Sequence, residues 1–134
     1  MSGWGVYGLN LTLELLKHDR NPVWVSPPHL LDVGSATIAA LQPVLKRQHH
    51  LADLLKKTGF LEFDFPALHS LRNDFLPALE DQIIRGSRNI AVIFFENTDF
   101  SDAGLARARK YDLIITGSTW NKERLQACGL THVI

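Results

Sequence analysis

Cysteine is nearly missing from this sequence. Cys128 stands alone, so an internal disulfide and a cysteine-based zinc site are both excluded, and the usage fits a reducing compartment. Charge of one sign is missing too. Fourteen Lys and Arg balance fourteen Asp and Glu, and the pI is about 7.0. Such a balance provides no basic field for nucleic acid or an anionic membrane surface. No apolar run approaches the roughly 20 residues of a membrane span. The first residues do not follow the basic-then-apolar pattern of a signal peptide, and a cytoplasmic protein without a transmembrane segment is the expectation. Internal repeats and low-complexity tracts are absent as well. What is present is a chain of 134 residues, 46% hydrophobic and 21% charged, which suits one globular domain spanning residues 1–134.

The last third carries the strongest signals. Asn89 to Phe95 is a nearly continuous apolar run, as in a strand buried on both faces. Ser101 is placed to cap a helix reaching Arg109, with Asp102 in its first turn. Asp112 to Thr116 predicts a second buried strand, and Trp120 to Cys128 a helix that Gly129 stops. His132-Val133-Ile134 begins a third strand. Strands alternating with helices across short loops predict parallel, right-handed crossovers in an α/β sheet with helices on both faces.

The earlier part reads less sharply. Gly3, Gly5 and Gly8 mark a loop with special backbone demands. A helix follows, with Val6, Leu9, Leu13 and Leu16 on one face and Lys17 and His18 in its last turn. Val23 to Ser26 reads as a short central strand stopped by Pro27-Pro28, and Val44 to Lys57 as a helix closed at Thr58-Gly59. Leu61, Phe63 and Phe65 alternate with acidic residues, and a broken strand is plausible from Phe65 to His69. Leu76 to Arg85 reads as a helix, with Pro77 in its first turn.

Two segments resemble a known family. Ser2 to Asn10 (SGWGVYGLN) is similar to the glycine loop and first helix of GT-B glycosyltransferases, and Tyr111 to Lys122 (YDLIITGSTWNK) to their strand, small residue, Ser, aromatic, Asn and helix. The match is to the N-terminal, Rossmann-like half of the retaining group. It implies the acceptor-side half of an enzyme that transfers a sugar from a nucleotide-sugar donor. The resemblance places donor binding in a C-terminal half that has no counterpart in these residues. It thus implies a fragment that lacks its first strand and its partner domain and is inactive alone. A homo-oligomer built through Gly3–Gly8, Glu96–Asp99 or His132–Ile134 is the matching expectation.

Candidate site residues follow from strand ends and from the resemblance. Gly3, Trp4 and Gly5 precede helix amides able to hold a donor diphosphate. The same glycines fit a nicotinamide fingerprint poorly, because Trp4 and Tyr7 crowd it and only Asp32 is loosely placed as the acidic residue. His69 is a candidate for binding or proton transfer near neutral pH, against a half-buried histidine bonded to backbone. Glu96 sits where ligands of open α/β sheets bind, and it is the second catalytic candidate. Asn97 and Thr98 beside it could bond an acceptor sugar, or satisfy their own loop. Ser118 and Asn121 are further substrate candidates whose simplest role is capping. Trp120 is expected to pack its helix on the sheet, with sugar stacking as the second reading. His49 and Asp53 are too few ligands for a metal, and no cofactor is expected. The alternative function is a non-enzymatic Rossmann-like binding or interaction module.

Overall fold

Both apolar runs of the last third are parallel strands. The computed structural model describes residues 3–26, 32–78 and 82–134. Its contacts divide the chain into two units, Met1–Gly59 and Phe60–Ile134.

The second unit holds the sheet. Its elements are β1 (Leu61–Glu62), β2 (Ala67–Arg72), a single 3-10 turn (Asn73–Phe75), β3 (Leu76–Pro77), β4 (Ile84–Arg85), β5 (Asn89–Ile93), α3 (Asp102–Ala108), β6 (Leu113–Thr116) and α4 (Thr119–Ala127). Four strands run in the order β3-β2-β5-β6, while β1 and β4 pair separately. β2, β5 and β6 are mutually parallel, in register at Leu71, Ile93 and Thr116. β3 returns antiparallel on β2. Val133 continues the parallel series with a bridge to Ile114. This is α/β and Rossmann-like, as the sequence predicts, but the sheet is mixed rather than all parallel, and α3 and α4 contribute to one core cluster while alternate residues of β2 stay exposed.

Register decides which residues form the core. Leu71, Ala91, Ile93, Ile114 and Val133 lie on one face and cluster with Ala108 of α3 and Leu125 of α4. Ser101 caps α3 by accepting from Gly104 N, and Ser118 caps α4 by accepting from Asn121 N. Gly129 closes α4's exit at φ 79°, a left-handed conformation that favours glycine.

The first unit contains α1 (Gly3–Lys17) and α2 (Ser35–Thr58). The expected glycine loop is instead the opening of α1. Gly5 and Gly8 are helical, although each costs about 1 kcal/mol against alanine; of the expected apolar face, Leu9, Leu13 and Leu16 are half-buried and Val6 is exposed. Val23 to Ser26 is not a strand: it pairs with no ladder and is held by side chains. Trp24 Nε1 donates to Thr12 Oγ1 at 2.8 Å, and Arg47 Nε donates to the Pro22 carbonyl at 3.0 Å. The expected stop at Pro27-Pro28 lies outside the described residues. α2 begins nine residues before the expected Val44 and ends at Gly59, φ 72°, as the sequence predicts.

Two more expectations fail in the second unit. Residues 76–85 hold β3 and β4 rather than a helix, with 79–81 outside the described residues. Pro77 is tolerated there because β3 is an edge strand. The broken strand near Phe65 is β2, shifted to begin at Ala67. Among the described residues no helix is long and apolar enough to cross a membrane.

Candidate functional site

Parallel strands deliver three chain segments to one edge of the sheet. β2 leads into Asn73–Phe75, β5 into the loop from Phe94 to Phe100, and β6 into Gly117-Ser118. Open α/β sheets bind ligands at this carboxyl edge, because loops diverge there and helix N-termini face it.

The β2 exit is a built turn. Asp74 and Phe75 both hold left-handed backbone, at φ 59° and φ 55°. Aspartate tolerates this, but a bulky phenylalanine is strained by about 1 kcal/mol or more. Phe75 is held there by burial, with Phe100 at 5.4 Å between ring centroids. Asp74 Oδ1 accepts from Ser101 N at 2.9 Å. Its Oδ2 accepts from Ser101 Oγ at 2.6 Å and from Arg107 Nη2 at 3.0 Å. Arg107 Nη2 also donates to the Asp74 carbonyl. The carboxylate therefore clamps the first turn of α3 to the end of β2. Gly104 permits this approach, since a Cβ there would stand 2.6 Å from Asp74 Cγ.

Those same bonds hold the Asp74 carboxyl below its ordinary value of 3.8; the Ser101 hydroxyl contributes most, then the Ser101 amide, then Arg107. A depressed folded-state value adds stability that is complete above the ordinary value and is lost as pH falls through the folded one. Acid unfolding curves should therefore steepen below pH 3.8. The substitution D74N, which tolerates the left-handed backbone, should remove that part of the pH dependence. An unchanged acid limb in D74N would refute this role for the carboxylate.

The β5 exit carries the exposed polar loop. Glu96, Asn97, Thr98 and Asp99 are all exposed. Asn97 Oδ1 accepts from Asp99 N at 2.8 Å, and Phe100 N donates to the Thr98 carbonyl. The loop thus satisfies part of its own backbone and leaves the Glu96 carboxylate and the Asn97 amide NH₂ directed to solvent. Phe95 anchors it below, edge-on to Phe100 at 4.9 Å.

The β6 exit meets that loop through Asn121. This side chain is 5% exposed, and its Nδ2 donates to the Phe95 carbonyl at 2.8 Å. Its backbone N–H donates to Ser118 Oγ at 3.1 Å. Asn121 is thereby consumed inside the fold, tying the start of α4 to the residue just before Glu96. Ser118 is exposed, but its hydroxyl is committed to the cap. Leu125 is the fully buried anchor of α4, and Trp120, 43% exposed, adds contact with Phe95 of the same core cluster. Its ring lies 5.9 Å from Phe95, and the Arg124 guanidinium stands 5.6 Å from its centroid.

The candidates divide accordingly. Glu96, Asn97, Thr98, Ser118 and Asn121 converge on the carboxyl edge. His69 does not join them. It is 4% exposed and pairs in register with Ala91; it precedes the end of β2 by three residues, about 10 Å of strand. Its Nε2 lies 2.9 Å from Asn89 Oδ1, at the start of β5. Asn89 Oδ1 also accepts from Gly86 N, while Asn89 N donates to Asp112 Oδ2. With Tyr111 at 5.6 Å between ring centroids, His69 belongs to a polar knot towards the amino edge. Gly3, Trp4 and Gly5 form the first turn of α1, in the other unit. The Asp74 clamp went unread in the sequence because its partners lie 27 and 33 residues away, and no spacing rule reaches so far. Among the described residues, no cluster of three metal-binding side chains occurs. No family model, curated protein or solved structure matches the chain.

Proposed function

We propose that this chain is the N-terminal, acceptor-side half of a cytoplasmic retaining glycosyltransferase of the GT-B type, which moves a sugar from a nucleotide-sugar donor to an acceptor hydroxyl. The observation that carries the reading is the carboxyl edge. An exposed loop with a carboxylate, an amide and a hydroxyl follows the central parallel strand, beside the segment Tyr111 to Lys122 that resembles the family. In this reading Glu96 accepts the hydrogen bond of the acceptor hydroxyl and orients its oxygen. Asn97 and Thr98 bond neighbouring hydroxyls. Ser118 and Asn121 hold the edge in shape, and His69 fixes strand register instead of moving protons. Retention of configuration relies on electrostatic stabilisation of an oxocarbenium-like state by groups around the donor.

The encoding gene tests this directly. Its sequence past the Ile134 codon should continue into a second Rossmann-like half. A stop codon there would overturn the proposal in favour of a non-enzymatic binding module. The purified chain itself should show no sugar transfer from any nucleotide-sugar donor, because one wall of a cleft cannot orient and dehydrate both reactants. Turnover by this chain, measured free of host enzymes, would contradict the half-enzyme reading.

A further inference from the structure

We propose that the outer side of β1 and the start of β2 is a docking edge for an extended, cationic peptide segment of a partner protein, which adds to the sheet as a further strand. The backbone bonds of this stretch all run one way. Leu61 N donates to the Ile83 carbonyl, Phe63 N to the Arg85 carbonyl and Ala67 N to the Arg88 carbonyl. Alternate residues of a parallel strand bond to the same neighbour, so Glu62 and Leu68 turn their N–H and C=O groups away from β4 and β5. On that outer side β3 reaches only Leu71 and Arg72, and β1 pairs with β4 alone. Among the described residues the backbone groups of Glu62 and Leu68 therefore have no ladder partner. The side chains of this stretch are open as well. Phe65 is 46% exposed and stacks on Phe63 at 4.7 Å between ring centroids, and Leu68 is 42% exposed. An edge with unladdered backbone and exposed apolar side chains is a template for strand addition.

Charge selects the occupant. Glu62 and Asp64 are both exposed in this edge. Arg85 stands in register with Glu62 on the β4 side, whereas Asp64 takes part in no ion pair among the described residues. A strand with Lys or Arg at alternate positions sets cations against these carboxylates, and opposite charges across a strand pair favour pairing. The apolar residues between them supply contact for Phe65 and Leu68. A second copy of this chain fits poorly. Two such edges set carboxylate against carboxylate, and Pro66 has no N–H to give. An acidic partner is repelled for the same reason. The edge lies at the amino end of β2, away from the loop of Glu96, and does not depend on the transferase reading.

The test is a titration of the ¹⁵N-labelled chain with three capped peptides: Lys-Val-Lys-Val-Lys-Val, Glu-Val-Glu-Val-Glu-Val, and the lysine peptide with every internal amide N-methylated. The lysine peptide should shift the Glu62 and Leu68 amides saturably. It should bind roughly tenfold more tightly than the glutamate peptide, by a margin that shrinks in high salt. N-methylation keeps charge and apolar content but removes the ladder donors, and should abolish the response. The charge-reversed chain E62K/D64K should prefer the glutamate peptide, and β5 and β6 amides at their parent positions would show that its fold is intact. No shift of Glu62 and Leu68 with the lysine peptide would overturn the proposal. So would an equal response to the methylated or the glutamate peptide, or an unchanged preference in E62K/D64K. Shifts of these two amides on raising the chain concentration without peptide would assign the edge to a second copy, and would overturn the proposal too.

Discussion

Replacing Gly86 by alanine is expected to destabilise the sheet unit by about 3 kcal/mol, lowering its Tm by roughly 15 °C. Gly86 sits in the turn before β5, where the entry of β2 crosses it. A Cβ there would stand 2.7 Å from the Phe65 carbonyl and 2.8 Å from the Arg88 carbonyl, and would overlap the Ala67 amide nitrogen. All three atoms are backbone, and they are held by the bonds that begin the β2–β5 ladder. Ala67 N donates to the Arg88 carbonyl and Ser87 N to the Phe65 carbonyl. Relief of the overlap therefore means loss of those bonds and displacement of Asn89, whose Oδ1 receives Gly86 N and lies beside His69. Gly8 provides the contrast. It is helical with nothing within 4 Å of its added Cβ, and Gly8→Ala should raise stability by about 0.5–1 kcal/mol. Thermal or urea unfolding of the two variants decides the matter. Equal stabilities would show that the Gly86 turn yields at little cost.

Asn121→Leu is expected to cost about 2–3 kcal/mol and to disturb the edge that the proposed function uses. The substitution keeps volume but removes the Nδ2 donor, leaving the Phe95 carbonyl without its partner in a buried place. Ser118→Ala, by comparison, removes at an exposed residue a hydroxyl that accepts from Asn121 N and donates to Asn121 Oδ1, and should cost about 1 kcal/mol. The two effects also differ in reach. Asn121→Leu should shift the amides of Glu96 to Asp99, because Phe95 tethers that loop to α4. Ser118→Ala should act chiefly on the first turn of α4. Backbone spectra that leave the loop unmoved in Asn121→Leu would remove Asn121 from the role of tether.

The legible parts of the chain are those whose signals are local. Ser101 and Ser118 announce α3 and α4 because an N-cap needs only the amide three residues on. The runs at 89–95 and 112–116 announce β5 and β6 because a strand covered on both faces is apolar at nearly every position. Gly59 and Gly129 announce helix exits through the left-handed backbone they adopt. The parts that misled depend on partners distant in sequence. Gly3, Gly5 and Gly8 suggest a loop by propensity, yet all three lie within α1. Val23 to Ser26 has strand-like composition, yet Trp24 finds Thr12 and no ladder. Residues 76–85 have a helix-like opening, but the strained turn at Asp74 and Phe75 sends the chain back along β2. Within the candidate site, Glu96, Asn97 and Thr98 were readable because they end a clear strand. His69 was misplaced because only the β2–β5 register shows at which end of a strand a residue does its bonding. Asn121 read as a cap and a surface ligand, whereas its amide reaches 26 residues back to Phe95.

The inner position of β5 also sets a hierarchy in time. β5 is laddered on both sides, to β2 and to β6, and Ala91, Val92 and Ile93 are at most 3% exposed. Their amides reach solvent only when the whole sheet unit opens, so their hydrogen–deuterium exchange reports its global free energy. β3 is the opposite extreme. It has two residues on an outer edge, and one of them is a proline with no amide to protect. Leu76 should exchange fastest among the laddered strand amides and β5 last, with the one-sided β1–β4 pair in between. The edge at β3 is then where the sheet breathes, while the strand that leads into Glu96 is the last to loosen. The carboxyl-edge loop thus projects from the most persistent segment of the unit, and its own motions can be fast without any loss of the scaffold beneath it.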